Sequence, residues 1–151
     1  MAGKRETRAE QGRETAEASV FDLRETVAPL ERTPASLTAL LLGAPARWLN
    51  TTEGEGTWSP REVLGHLVHT ERTSWIPRVH HILAGRAEPF EPVDRNAHLT
   101  AGELPGVEEQ LGKFTQLRRE NVSSLIGMSL TSADLGRTGL HPALGEVTLE
   151  Q

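Results

Sequence analysis

The sequence has no cysteine among its 151 residues. That absence removes disulfides, thiolate zinc sites and a cysteine nucleophile together, and it leaves histidine, aspartate and glutamate as the strong metal ligands. No run approaches the roughly 18 apolar residues of a membrane span, and Met1 to Ser19 lacks the apolar centre of a signal peptide. A cytoplasmic location with no membrane partner is the expectation. There is no basic excess either: 16 Lys and Arg stand against 21 Asp and Glu, a formal net charge of −5. The broad positive field that nonspecific phosphate binding requires is missing, so nucleic acid is not an expected partner.

What is present fits one soluble helical domain with a single core. Residues 1–18 carry four basic and four acidic side chains and almost nothing large to bury; they are expected to form a mobile charged tail, with the domain occupying 19–151. Val20, Leu23, Val27, Leu30, Leu37, Leu40 and Leu41 recur at helical spacings. Within that stretch Pro34 either starts a helix capped by Thr33 or kinks a longer one. A polar loop follows through Asn50 to Thr57.

The clearest helix start is Ser59-Pro60-Arg61-Glu62, an N-cap, a favoured first residue and a capping box, with Trp58 and Val63 placed as a hydrophobic staple. This second helix is expected to reach Leu83 or Ala84, kink near Pro77 and stop at Gly85. Its apolar stripe holds Leu64, Leu67, Val68, Trp75, Val79 and Ile82. Trp48, Trp58 and Trp75 are expected in the core or at the staple. Residues 86–105 form a proline-rich loop of a length that tends to be functional or disordered. A third helix runs from about Val107 to Ile126, with Gly127 as its terminator. Leu135 to Glu146 is expected as loop, and Thr148 with Gln151 repeats the capping pattern, so the chain is expected to stop as a fourth helix begins. Three long helices do not close a four-helix core, and an apolar groove open to a partner helix or a second copy follows.

Histidines stand at 66, 69, 80, 81, 98 and 141, and none forms an H-E-x-x-H or H-x3-H pair. His66 and His69, three apart, can share one side of the second helix, but two nitrogens alone make a weak site. Taken singly, such histidines are more often surface or capping residues. On an ideal wheel His66 lies about 160° from the centre of the apolar stripe. His80 and His81 lie roughly 20 Å further along the axis. Glu71 and Arg78 fall inside the apolar stripe, where an unpaired charge costs several kcal/mol; each must pair with the other or with a nearby polar group, fixing the register or meeting a substrate.

The stretch Trp58-Ser-Pro-Arg-Glu-Val-Leu-Gly-His-Leu-Val-His-Thr-Glu resembles the DinB-like superfamily. So do Trp75-Ile-Pro-Arg78, Phe90-Glu-Pro-Val-Asp94-Arg, Phe114-x3-Arg118-x-Glu-Asn-Val and His141-Pro-Ala-Leu-Gly-Glu-Val-Thr, in order and separation. The resemblance implies an all-α, up-down-down-up four-helix bundle, often dimeric, here with its fourth helix missing or only begun. It also implies a divalent metal, zinc or nickel, held by three histidines, of which His66 matches the first. The other two belong to an H-x3-H motif that these 151 residues do not contain. His69, Glu71, Arg78, Asp94 and His98 are the expected lining or supporting residues.

Relatives of known activity are thiol-dependent transferases or isomerases that use bacillithiol, mycothiol or glutathione. The full protein is therefore expected to be a metal-dependent thiol transferase-like enzyme. The 151 residues alone are expected to bind metal weakly or not at all and to lack catalytic competence. The competing expectation is a non-catalytic, stress-associated helical module that dimerises or receives a partner helix.

Overall fold

In a computed structural model, residues 22–100 and 102–151 are described. The expected tail at 1–18, and Val20, lie outside them. Helix α1 spans Leu23–Leu41 and starts where the Asp22 carboxylate accepts the Arg24 amide at 2.8 Å. It runs unbroken through Pro29 and Pro34. A proline at 34 cannot donate to the carbonyl of Leu30, and that freed acceptor takes the Arg118 guanidinium at 3.2 Å instead. Pro34 thus starts no helix but lies inside a longer one, and the Leu30 carbonyl that it frees is satisfied from another helix. Gly43, at φ 77°, carries the chain out of the helix. Helix α2, Ala46–Asn50, is a short turn before the polar loop.

Helix α3, Pro60–Thr73, begins at the expected box. The Ser59 side chain accepts from the Glu62 amide, and Glu62 accepts from the Ser59 amide at 2.7 Å. The expected single helix is divided at Ser74 into α3 and α4, Trp75–Leu83. The division falls where the Pro77 ring excludes the carbonyl of Thr73, four residues back. Gly85, at φ 65°, ends α4 as expected. Helix α5, Ala97–Thr100, is a single turn inside the long 86–105 connection. Helix α6, Val107–Gly127, packs against both α1 and α3.

Leu41, Leu49, Leu64, Leu111 and Phe114 form one core cluster where α1, α2, α3 and α6 meet. Phe114 and Leu64 are fully buried; each such side chain contributes about 1.5–3 kcal/mol relative to exposure. The expected burial of two tryptophans is corrected: Trp48 is 51% exposed and Trp75 52%. Trp48 sits on the short α2, and Trp75 at the first position of α4 turns outward after the break at Ser74.

The segment expected as loop after 135 also differs. Helix α7, Ser132–Leu135, leads into an antiparallel hairpin of β1, Thr138–His141, and β2, Gly145–Thr148. The hairpin docks through Gly139, where a Cβ would meet the Phe90 ring at 2.7 Å and Ile82 at 2.8 Å. Phe90 donates its amide to Leu140 at 2.9 Å. The expected pairing of Thr148 and Gln151 is made reciprocally, at 3.0 and 3.2 Å. Among the described residues no helix is long and apolar enough to cross a membrane.

Candidate metal centre

His66 lies on α3 about two turns past the Ser59 cap, and its ring faces away from the core cluster toward two aromatic neighbours. Trp58 is 4.8 Å away between ring centres, and His98 is 5.5 Å away. The wheel position that set His66 apart from the apolar stripe is explained: this side of α3 is covered by α5 and by Trp58. His98 arrives from the 86–105 connection, is 5% exposed, and meets Trp58 edge-on at 4.9 Å. Arg95 lies over the other participant of this cluster, 5.6 Å from the Trp58 ring centre.

Four polar atoms of this cluster are unsatisfied. His66 Nδ1 and both ring nitrogens of His98 are buried without hydrogen-bond partners, as is Oε1 of Gln110 on α6. The other end of the Gln110 amide donates to the Pro105 carbonyl at 2.8 Å, which aims Oε1 back toward α3. At the centre is Gly65, where a Cβ would lie 2.8 Å from Leu104, 3.2 Å from Gln110 Oε1 and 3.2 Å from the His98 ring. Only the absence of a side chain at 65 lets α5 close on α3. The Arg61 guanidinium holds the same connection by donating to the carbonyls of Leu104 and Pro105.

Burial holds the His98 pKa below its ordinary 6.5, and the nearby His66 charge pushes in the same sense. The Arg95 carbonyl acts in the opposite sense, although neither ring nitrogen closes a hydrogen bond. His98 is therefore neutral at pH 7, the form that binds metals. Glu62 is held below its ordinary range, chiefly by its hydrogen bonds with Ser59.

The remaining candidates divide. His69 and His98 line a cavity of about 550 Å³ between α3, α5 and α6, with Arg72, Gln110 and Lys113. Asp94 is not drawn in; its exposed carboxylate accepts the Asn96 amide at 2.9 Å and organises the turn before α5. Glu71 is also elsewhere and does not pair with Arg78. Its buried carboxylate accepts from Arg118 at 2.7 Å and from Asn121 at 3.0 Å, and its carbonyl accepts from Asn121 at 2.7 Å. Arg78 lies over the Phe90 ring at 5.4 Å. The Glu71 network thus ties α3 to α6, and through Arg118 and Leu30 to α1. Among the described residues no three His, Asp or Glu side chains gather as a metal-holding group. The donor set does fit two positions of one: two imidazoles with unpartnered nitrogens.

Two features of the sequence carry signals that periodicity and motif do not use. For this site it is Gly65, an isolated glycine inside a helix; for the separate Glu71 network it is Arg118 with Asn121, two polar side chains three residues apart on one side of α6. The partner of each is set by tertiary packing.

The sequence profile of the DinB superfamily matches residues 29–151. The chain belongs to the DinB superfamily. Its fold is similar to that of YfiT from Bacillus subtilis, described as a probable metal-dependent hydrolase with an unusual four-helix bundle topology. The TM-score is 0.72 at 22% identity over 87% of this chain and 77% of that one. No curated protein sequence matches the chain.

Proposed function

We propose that this DinB-superfamily protein binds a divalent metal, zinc or nickel, through His66, against the weak or absent binding expected from its sequence alone, and that the bound metal serves thiol-dependent group transfer. The observation that carries the reading is the buried, unpartnered nitrogen of His66 beside the two unpartnered nitrogens of His98. Buried polar groups without partners are rare and costly. A metal supplies, when bound, the positive charge that stabilises a thiolate at neutral pH. The chain's own part is to hold the ligand nitrogens buried and without competing hydrogen-bond partners. Ser59 and Glu62 fix the start of α3, Trp58 covers the two imidazoles, and Gly65 admits α5. The polar cavity at His69, Arg72 and Lys113 has room for a small charged substrate such as a low-molecular-weight thiol. Hydrolysis, attributed to YfiT, draws on the same capacity with water in place of the thiol.

Cobalt-loaded protein tests the reading. Adding a low-molecular-weight thiol is expected to produce a thiolate-to-cobalt charge-transfer band that His66→Ala abolishes. Cobalt binding with no spectral response to any thiol would leave the metal and remove the thiol.

A second reading, a module that dimerises or receives a partner helix, is favoured by the open face between α1, α2 and α3. There Leu37, Leu41, Trp48, Val63 and Leu67 line a groove of about 390 Å³, with Trp48 51% exposed. Light scattering at micromolar concentration, with Trp48→Glu beside the parent, separates the two. A dimer lost in the variant, together with no metal response, would favour the module.

A further inference from the structure

Leaving a buried imidazole nitrogen without a partner is disfavoured, and this cluster has three such atoms on two neighbouring rings inclined at 62°. His98 is firmly placed: packed edge-on to Trp58, within 5.5 Å of His66 and admitted by the missing side chain at Gly65. We infer that His98 is a second nitrogen ligand, joining His66 on one divalent cation and supplied by the connection between α4 and α6, not by a long helix of the bundle. The inference rests on the reading of His66 as a ligand and departs from the set implied by the resemblance, in which the further nitrogens come from an H-x3-H motif.

The spacing suits the chemistry. With about 2.1 Å from metal to imidazole nitrogen and roughly 1.1 Å from nitrogen to ring centre, two rings on a tetrahedral ion have centres roughly 5 Å apart; the observed separation is 5.5 Å. Two imidazole ligands select borderline ions such as zinc, nickel, cobalt and copper over magnesium and calcium. Trp58, within 5 Å of both rings, is placed to report an ion between them.

The test uses the full chain, stripped with a chelator, and nickel chloride as the probe. Tryptophan quenching and calorimetry are followed for the parent, His66→Ala, His98→Phe and His80→Ala, with magnesium chloride as the comparison. One equivalent of nickel is expected to quench, each ligand variant to weaken binding by more than about tenfold, His80→Ala to behave as the parent, and magnesium to give no response. Because His98→Phe is a core substitution, the unsubstituted protein labelled with 15N-histidine is titrated with zinc in parallel. Two imidazoles, assigned to 66 and 98, are expected to shift together at a single equivalent.

Zinc shifting His66 alone, with His98→Phe binding as the parent does, would overturn the inference and leave the reading of His66 standing. A His98 ring that stays unchanged, hydrogen-bonded to Gln110 Oε1, would overturn it as well. No binding by the parent would end both.

Discussion

Replacing Arg118 with methionine keeps much of the side-chain volume and removes a charge that serves two helices at once. Its guanidinium is 2.7 Å from a Glu71 carboxylate whose side chain is 2% exposed, and 3.2 Å from the Leu30 carbonyl that Pro34 frees. Breaking a buried pair by removing one partner costs about 3–5 kcal/mol, because the remaining charge has no solvent to return to. The Leu30 carbonyl adds on the order of 1 kcal/mol if it too is left unpaired. Asn121 still donates to Glu71, which places the total near 4 kcal/mol, a large share of the roughly 5–15 kcal/mol of a typical domain. Adding Glu71→Gln removes the stranded charge, and the double variant is expected to recover more than half of the loss. Urea unfolding of the four proteins gives the cycle. An Arg118→Met loss below about 1 kcal/mol, or a double variant as unstable as the sum of the singles, would refute the burial argument.

Ser59→Ala should lower stability by about 1 kcal/mol, since the α3 cap loses the acceptor for the Glu62 amide; unchanged thermal unfolding would count against the cap. Gly65→Ala gains about 1 kcal/mol in helix propensity and loses about 1–3 kcal/mol to overpacking against Leu104, Gln110 and His98. A small net loss with weakened nickel binding is expected, and tighter binding would contradict the role of the glycine. Gly139→Ala is expected to lose about 1–3 kcal/mol as the hairpin is pushed off Phe90, seen as early proteolysis within 136–151; parent-like resistance would contradict the docking. For pH, the lowered His98 pKa means that the unfolded chain binds the extra proton first. The stability it confers is present above 6.5 and is lost as pH falls from there toward the folded value. In chelator, parent stability should decline below 6.5 more steeply than that of His98→Phe, and parallel curves would contradict a buried neutral imidazole.

Local chemistry makes much of the fold legible in the sequence. The Ser59-Pro60-x-Glu62 start, the glycine stop at 85 and the span of α6 each depend on residues within one turn of the event. The break at Ser74 was legible as a kink, displaced because a proline acts on the carbonyl four residues behind it. The hairpin at 138–148 was not, since strands of four residues have little periodicity and these are fixed by Phe90, about 50 residues earlier in the chain. The candidate site divides similarly. His66 is marked in the sequence by the family resemblance, and the need for a partner to Glu71 by its place in an apolar stripe. The partner, Arg118, is 47 residues away, and the contact of His98 with His66 depends on how a long connection folds back.

Anomalous diffraction from crystals soaked in zinc, recorded on both sides of the zinc edge, tests the metal-binding claim most directly. A peak is expected about 2.1 Å from a ring nitrogen of His66, lying between that ring and His98. Zinc ordered elsewhere with none at His66, or no ordered zinc in crystals of the intact chain, would contradict it.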